Sequence, residues 1–343
     1  MKNIFRIITA LLFLVSCSRS SSDYPDFKQQ TLVEWEFLTD DILISMSSDL
    51  YQYKDYLILF AEFDGKCMHV YNKHTGLLIN SFLTYGRGPK ETLMGHKQAR
   101  FNSLTGVFTL FDFVKKIKLR FQLDELLASG TDAVSEELML CDNYLRYCYE
   151  VDDETLLQIN SVSLSNNDFI DRIVVCKDNK ALYSYDNFPM PLSAVSTYLY
   201  LYSHSDLSPD KKHLVIGTSY GVFLELYNLE KGIQNTYTRQ FGEYVYKQSG
   251  NNIDLEGSVY GFYDFFTTNY EVYCIFDGEK NLYDRSSFTD IAVFDWEGHP
   301  KQLLRTNHRL EKICVDIEDN TIYAVTCTDG IYRLARLKED VTK

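Results

Sequence analysis

One short pattern recurs along this chain and restricts what it can fold into: an alternating segment that ends in aliphatic-aromatic-Asn/Asp, with Gly or Lys a few residues further on. Val70-Tyr71-Asn72 leads to Gly76, Leu110-Phe111-Asp112 to Lys115, Leu226-Tyr227-Asn228 to Gly232, and Val293-Phe294-Asp295 to Gly298. Asn, Asp and Gly suit the end of a strand because a tight turn needs side-chain-to-backbone hydrogen bonds or positive φ angles. Weaker copies stand at Val175-Cys176-Lys177-Asp178 and Ile331-Tyr332-Arg333. Six copies, roughly 40 to 65 residues apart, have the period of four-stranded blades set around an axis. The chain therefore reads as all-β, a six-bladed β-propeller.

Further features agree with this architecture. Tyr (26) and Phe (22) are abundant, a bias that suits pleated surfaces packed face to face. No Pro/Gly/Ser-rich linker divides the body, so residues 31–343 read as one domain of repeated units. Ile313, Val315 and Ile317 alternate with Cys314 and Asp316 as a strand requires. The one persuasive helix is short, Leu123 to Ser129, with Asp124 as its start and Gly130 as its stop. The last blade shows only three strands, while Leu32-Val33-Glu34-Trp35-Glu36-Phe37 forms a spare strand near the beginning. That N-terminal strand is expected to complete the last blade, closing the ring and removing an exposed sheet edge.

The first residues suggest export. A polar, positive start (Met1-Lys2-Asn3) precedes an apolar run from Ile4 to Val15, broken by Arg6 and Thr9. A run of twelve residues, ten of them apolar, falls short of the roughly twenty that span a bilayer, so residues 1–16 read as a signal peptide. Leu14-Val15-Ser16-Cys17 resembles the bacterial lipobox, which implies acylation of Cys17 and a membrane anchor through N-terminal lipid. Residues 17–30, the lipidated cysteine and a polar stretch poor in aliphatics, then form a tether reaching about 40 Å when extended. Ser18 stands where inner-membrane-retained lipoproteins often carry Asp, so the resemblance favours the outer membrane and leaves the periplasmic or surface face open. The formal charge of −14, more negative by two once Lys2 and Arg6 leave, makes nucleic acid and anionic lipid poor partners. With Cys17 acylated an odd number of cysteines is left and no Cys-x-x-Cys pair occurs, so buried free thiols are expected, with one disulfide as the alternative.

The lipobox, Tyr85-Gly86-Arg87-Gly88-Pro89-Lys90-Glu91 after the first blade, and Leu207-Ser208-Pro209-Asp210-Lys211-Lys212 ahead of a strand are together similar to the TolB-like six-bladed propeller lipoproteins of Gram-negative gut-type bacteria. The resemblance implies the fold over nearly the whole mature chain and carries no catalytic residue with it. Gly86 and Gly88 are read as positions of positive φ, and Pro89 as fixing the exit of a loop between blades.

Chemical motifs are weak. Gly217-Thr218-Ser219-Tyr220-Gly221 matches the nucleophile-elbow pattern, but LVIG precedes it and VFLELY follows, which describes a hairpin turn. Gly86-Arg87-Gly88 lacks the third glycine of a dinucleotide fingerprint, and the histidines have no zinc-hydrolase spacing. Asp277, Glu279, Asn281 and Asp284 offer oxygen ligands for calcium, or form an acidic turn. Tyr198, Tyr200, Tyr202 and His204 would share one face of an extended segment, either stacking on a sugar or partner peptide or packing two blades together, with packing favoured. The function read from these features is a membrane-anchored envelope lipoprotein that binds a protein or glycan without catalysis, cofactor or metal. Its candidate contacts are Tyr198, Tyr200 and Tyr202. The alternative is a metal-dependent lactonase or glycan-cleaving propeller with acidic residues gathered around the axis.

Overall fold

The computed structural model describes residues 25–42, 47–93, 99–103, 105–139, 144–152, 154–162, 169–177, 180–189, 199–200, 202–249, 252–278 and 289–337. Residues 1–16, where a signal peptide is expected, lie outside these residues, as do Cys17, Cys141, Tyr198, Glu279, Asn281 and Asp284. Two short strands come first, β1 (Gln29–Leu32) and β2 (Trp35–Phe37). Blade 1 contains β3 (Ser47–Tyr53), β4 (Tyr56–Phe63), β5 (Lys66–Asn72) and β6 (Leu78–Thr84). Blade 2 contains β7 (Ala99–Asn102), β8 (Val107–Asp112), β9 (Ile117–Gln122) and β10 (Ser135–Leu138), with helix α1 (Leu123–Ser129) inserted before its last strand. Blade 3 is β11 (Tyr144–Glu150), β12 (Thr155–Val162), β13 (Phe169–Lys177) and β14 (Lys180–Tyr185). Blade 4 is β15 (Ser203–Leu207), β16 (His213–Thr218), β17 (Phe223–Asn228) and β18 (Gln234–Gln240), followed by a small hairpin, β19 (Lys247–Ser249) and β20 (Asn252–Asp254). Blade 5 has β21 (Phe262–Thr267), β22 (Glu271–Phe276), β23 (Asp290–Asp295) and β24 (Pro300–Arg305), and blade 6 has β25 (Arg309–Asp316), β26 (Thr321–Thr328) and β27 (Ile331–Leu337).

The N-terminal segment closes the ring, though not as one strand. β2 pairs antiparallel with β27, Trp35 opposite Leu337 and Phe37 opposite Ala335, and supplies the fourth strand of blade 6. β1 instead runs parallel to β24 as a fifth strand of blade 5, with Leu32 opposite Arg305. The segment therefore staples two blades, and the Trp35 indole N–H, donating to Thr306 Oγ1 at 2.8 Å, fixes the step between them.

Each blade buries both faces against its neighbours, which explains the near-continuous apolar runs of the middle strands. In β4 the segment Leu57 to Ala61 is fully buried, whereas outer strand β18 (QNTYTRQ) keeps most of its residues partly or fully exposed. Separate apolar layers fill the seams: Phe60, Phe108 and Leu119 between blades 1 and 2, Val215, Phe262 and Phe294 between blades 4 and 5, Trp35, Ile291 and Val315 between blades 5 and 6. Among the described residues the layer between blades 2 and 3 is the thinnest, built on Phe111 and Cys148.

The turn motif acts as expected at Asn72, Asn228 and Asp295, whose Oδ1 atoms accept backbone N–H groups two to four residues on. Gly76, Gly232 and Gly298 follow at positive φ. These three motifs end the third strand of their blades, but the blade 2 copy is displaced. Asp112 ends the second strand and caps the next turn through Val114 and Lys115, and Ile331-Tyr332-Arg333 opens a strand rather than ending one. Helix α1 occurs where expected and stops at Gly130, although Gln122, not Asp124, is its cap and accepts from Glu125 N–H at 2.8 Å.

Gly86 and Gly88 correct another expectation, since neither has positive φ. The Glu91 carboxylate lies over them: an added Cβ would lie 2.1 Å from Glu91 Oε2 at Gly86 and 2.9 Å at Gly88, so a side chain at either position would push that carboxylate aside. The Gly88 N–H donates to that carboxylate at 2.6 Å, and Lys115 Nζ holds the Gly88 and Glu91 carbonyls. The described cysteines Cys67, Cys148, Cys176, Cys274, Cys314 and Cys327 are buried free thiols.

Candidate functional site: the central channel

The innermost strand of every blade faces the axis, and together β3, β7, β11, β15, β21 and β25 enclose a cavity of about 980 Å³. That is the size of a ligand site rather than a packing defect. Its wall carries Asp49, Arg100, Tyr147, Tyr149, His204, Asp206, Asp264 and Lys312.

Side chains of the inner strands also tie blade to blade. The Tyr51 hydroxyl (blade 1) donates to the Ala99 carbonyl (blade 2) at 2.7 Å, Arg100 Nε (blade 2) to the Cys148 carbonyl (blade 3) at 3.1 Å, and the Tyr149 hydroxyl (blade 3) to the Ser205 carbonyl (blade 4) at 2.7 Å. Thr267 Oγ1 of blade 5 reaches back to Asp206 Oδ2 at 2.9 Å. From blade 6, Lys312 Nζ and the Ile313 N–H both donate to the Asp264 carboxylate, at 2.7 and 3.1 Å. The last seam, between blades 6 and 1, is bridged by Lys73 Nζ, 2.7 Å from both Asp316 and Asp319.

Three adjacent blades share one backbone device. In blades 5, 6 and 1 the pairing of the innermost strand skips a residue, between Phe262 and Asp264, Leu310 and Lys312, and Ser47 and Asp49. A β-bulge of this kind bends the strand and re-aims the next side chain. In each blade that side chain is charged and faces the channel.

Burial dominates the electrostatics of this wall. It pushes the Asp49 carboxyl up to about 7, with Lys312 and Arg100 opposing the rise, and pushes Asp206 up to about 7 against its hydrogen bond from Thr267. Burial raises Asp264 as well, with Lys312 the main opposing charge. Desolvation works against the Lys312 ammonium, but Asp264 and Asp49 outweigh it and hold its pKa above the usual range. The Tyr51 hydroxyl is likewise pushed well up by burial.

Of the aromatic row read from the sequence, the described Tyr200 and Tyr202 do not share one extended face. Leu199 and Tyr200 are helical, and the extended strand begins only at Ser203. Tyr200 is fully buried away from the channel, its ring under the Arg172 guanidinium at 4.6 Å and beside Phe188. Tyr202 points elsewhere, 43% exposed and edge-on to Tyr220. His204 does reach the channel, with Nδ1 3.3 Å from the Tyr147 hydroxyl. Ser219 sits in the hairpin turn joining β16 to β17, where its N–H donates to the Tyr202 carbonyl at 2.9 Å.

Asp277, the one described member of the calcium candidates, is buried beside the channel. Among the described residues, a single group of three His, Cys, Asp or Glu side chains brings its ligand atoms within 4.8 Å of one another: Asp295, Glu297 and His299, on an outer turn. There Asp295 Oδ1 is engaged as a turn cap. The channel acids, although gathered around the axis as the lactonase alternative supposes, do not form such a group.

A TolB-like 6-blade propeller family model matches residues 26–318. The chain belongs to this family. Among solved structures the TolB-like propeller resembles a Bacteroides fragilis protein named as exported (TM-score 0.55, 14% identity, covering 92% of this chain and 99% of that one). It also resembles a DUF4221 family member from Bacteroides vulgatus (TM-score 0.53, 11% identity, 90% and 99% covered). At such identities the likeness concerns the fold alone. No curated protein matches the chain. No helix among the described residues of the propeller is long and apolar enough to cross a membrane.

Proposed function

We propose that this propeller is a lipid-anchored protein of the cell envelope, held through Cys17, that works by recognition and uses its central channel as the binding site for part of an envelope protein or glycan. The observation that carries this reading is the channel itself: about 980 Å³ enclosed by six inner strands, walled by tyrosines and by charges of both signs. Large concave sites with a few convergent polar groups are where ligands bind. Export is supported by the signal-like first sixteen residues ahead of Leu14-Val15-Ser16-Cys17, and by the exported Bacteroides relative that shares the fold. By the lipobox resemblance the anchor belongs to the outer membrane.

Two measurements test the reading. Cys17→Ala should abolish incorporation of labelled fatty acid, and continued labelling refutes the anchor. For recognition, the full-length chain in detergent is used to capture partners from native membranes, beside a Ser103→Trp variant that fills the channel wall at an exposed position. Capture that Ser103→Trp abolishes supports the channel. Capture that survives it moves the site elsewhere, with the exposed Tyr202 face tested next by Tyr202→Ala. Turnover of a lactone or glycan by the purified chain overturns the reading in favour of an enzyme.

A further inference from the structure

The charges on the channel wall are not equally provided for. Lys312 and Asp264 neutralise each other at 2.7 Å, and Asp206 accepts from Thr267. Asp49 and Arg100 each keep one buried atom without a hydrogen-bond partner. Asp49 Oδ2 is buried without any hydrogen-bond partner, although a bulge directs this residue at the channel. Arg100 spends Nε and Nη1 on the Cys148 and Ala99 carbonyls and lies over the rings of Tyr149 (4.3 Å) and Tyr147 (5.3 Å), yet Nη2 is buried and unbonded. Neither residue has an opposite charge within 4 Å among the described side chains, although at longer range Asp49 feels Arg100 and Lys312, and Arg100 feels Asp49 and Asp206.

Unpaired charges in a desolvated wall are costly and are ordinarily paired. Here two of opposite sign stand on the inner strands of adjacent blades, each held in place by backbone: Asp49 by its bulge, Arg100 by two carbonyls and two aromatic rings. A neutral sugar would supply hydroxyls to both but would neutralise neither. A ligand with an ammonium and a carboxylate neutralises both at once.

We infer that Asp49 and Arg100 form a zwitterion site in the channel, Asp49 taking an ammonium group and Arg100 a carboxylate, and that the natural ligand is a short peptide with free termini. The remaining volume of the channel, far larger than two ionic groups need, holds the body of such a peptide. This rests on the channel being the recognition site, and it replaces the envelope protein or glycan of that reading by a short free peptide as the occupant. The guanidinium, stacked on Tyr149 and already oriented by its two carbonyl bonds, has Nη2 left to donate to a carboxylate.

The test uses the full-length chain in detergent, with a random tripeptide pool as probe, in four forms: free termini, N-acetylated, C-amidated and blocked at both ends. Maltodextrin serves as the neutral comparison. Thermal protection is expected from the free pool alone, weakened on the order of 10- to 100-fold in apparent affinity by Asp49→Asn and by Arg100→Met. If Arg100→Met fails to fold, Arg100→Lys, which keeps the charge and loses the fork, takes its place and should weaken binding. A readout free of ligand accompanies this: Asp49→Asn should raise the melting temperature at pH 8, because it removes a carboxylate that burial disfavours and that has no close ion-pair partner. A lower melting temperature makes Asp49 structural and overturns the inference. Equal protection by the doubly blocked pool, protection by maltodextrin instead, or none from the free pool also overturns it. The channel reading falls with it only if Ser103→Trp also leaves membrane capture unchanged.

Discussion

Ring closure by the N-terminal segment can be tested at a single residue. Trp35 is 5% exposed, packs in the layer with Ile291 and Val315, and donates to Thr306 Oγ1. Truncation of a buried tryptophan costs about 3–5 kcal/mol, and losing its hydrogen bond about 1 kcal/mol more. For a domain of this size each kcal/mol shifts the midpoint by about 2 °C, so Trp35→Ala should melt about 8–12 °C lower. Removing residues 25–38 also takes Phe27 and Val33 out of the core, at about 1.5–3 kcal/mol for each apolar side chain. That approaches the whole stability of a typical domain and bares the edge of β27, so loss of cooperative melting and self-association should follow. Glu36→Ala provides the control, because its ion pair with Arg336 is solvent-exposed and contributes no more than about 1 kcal/mol. Circular dichroism melts and size-exclusion chromatography give the readouts. A Trp35→Ala midpoint within about 2 °C of the parent would refute closure as a main source of stability.

Two further outcomes follow from buried charge. Arg172 on blade 3 and Glu225 on blade 4 form a fully buried ion pair, with Tyr227 donating to the other Glu225 oxygen at 2.7 Å. Glu225→Ala should cost about 3–5 kcal/mol in urea unfolding, and Arg172→Met with Glu225→Leu should recover most of it; equal losses in both would contradict the pair argument. The carboxyls of Asp49 and Asp206, raised to about 7, mean that the folded chain binds more protons than the unfolded chain between pH 4 and 7. Their contribution is therefore complete below about pH 4 and lost as pH rises through 7, with an upper bound of about 4 kcal/mol for each group. Urea midpoints from pH 5 to 8 should reveal the fall, Asp49→Asn should flatten it, and a midpoint that rises with pH in the variant-sensitive part would show the opposite sign.

The parts of this fold that were legible in the sequence are those with local causes. Segments such as YLILFAEF are apolar on both faces because both are buried between blades, and Asn72 or Asp295 followed by glycine marks a turn whose hydrogen bonds lie within five residues. The same locality explains the misplaced copy in blade 2. Asp112 performs the identical capping chemistry one strand early, and nothing in a turn motif counts strands. It bears on Gly86 and Gly88 too, where composition suggested positive φ and the structure instead shows the carboxylate of Glu91 folded over ordinary backbone.

The channel was illegible for the opposite reason. Each inner strand contributes only a few polar side chains, and the residues that meet are separated by the length of a blade, so no spacing connects Asp49, Arg100, Asp206, Asp264 and Lys312. The signal available was a lone charge in an otherwise aromatic or aliphatic inner strand, as in Phe-Tyr-Asp-Phe-Phe around Asp264 or Asp49 beside Leu50 and Tyr51. Even that signal misleads about facing, because strict alternation assumes regular pairing, and blades 5, 6 and 1 each insert a bulge ahead of the charge. A bulge interrupts a ladder and leaves one residue unpaired. Finding it at the same point of three consecutive blades, each time before a charged channel residue, implies that the pattern serves the channel wall rather than the packing of any one blade. The inner strands of blades 2 to 4, whose pairing is regular, present Arg100, Tyr147, Tyr149, His204 and Asp206. The asymmetry of an otherwise repeated structure is thus concentrated where a ligand would have to be held in one orientation.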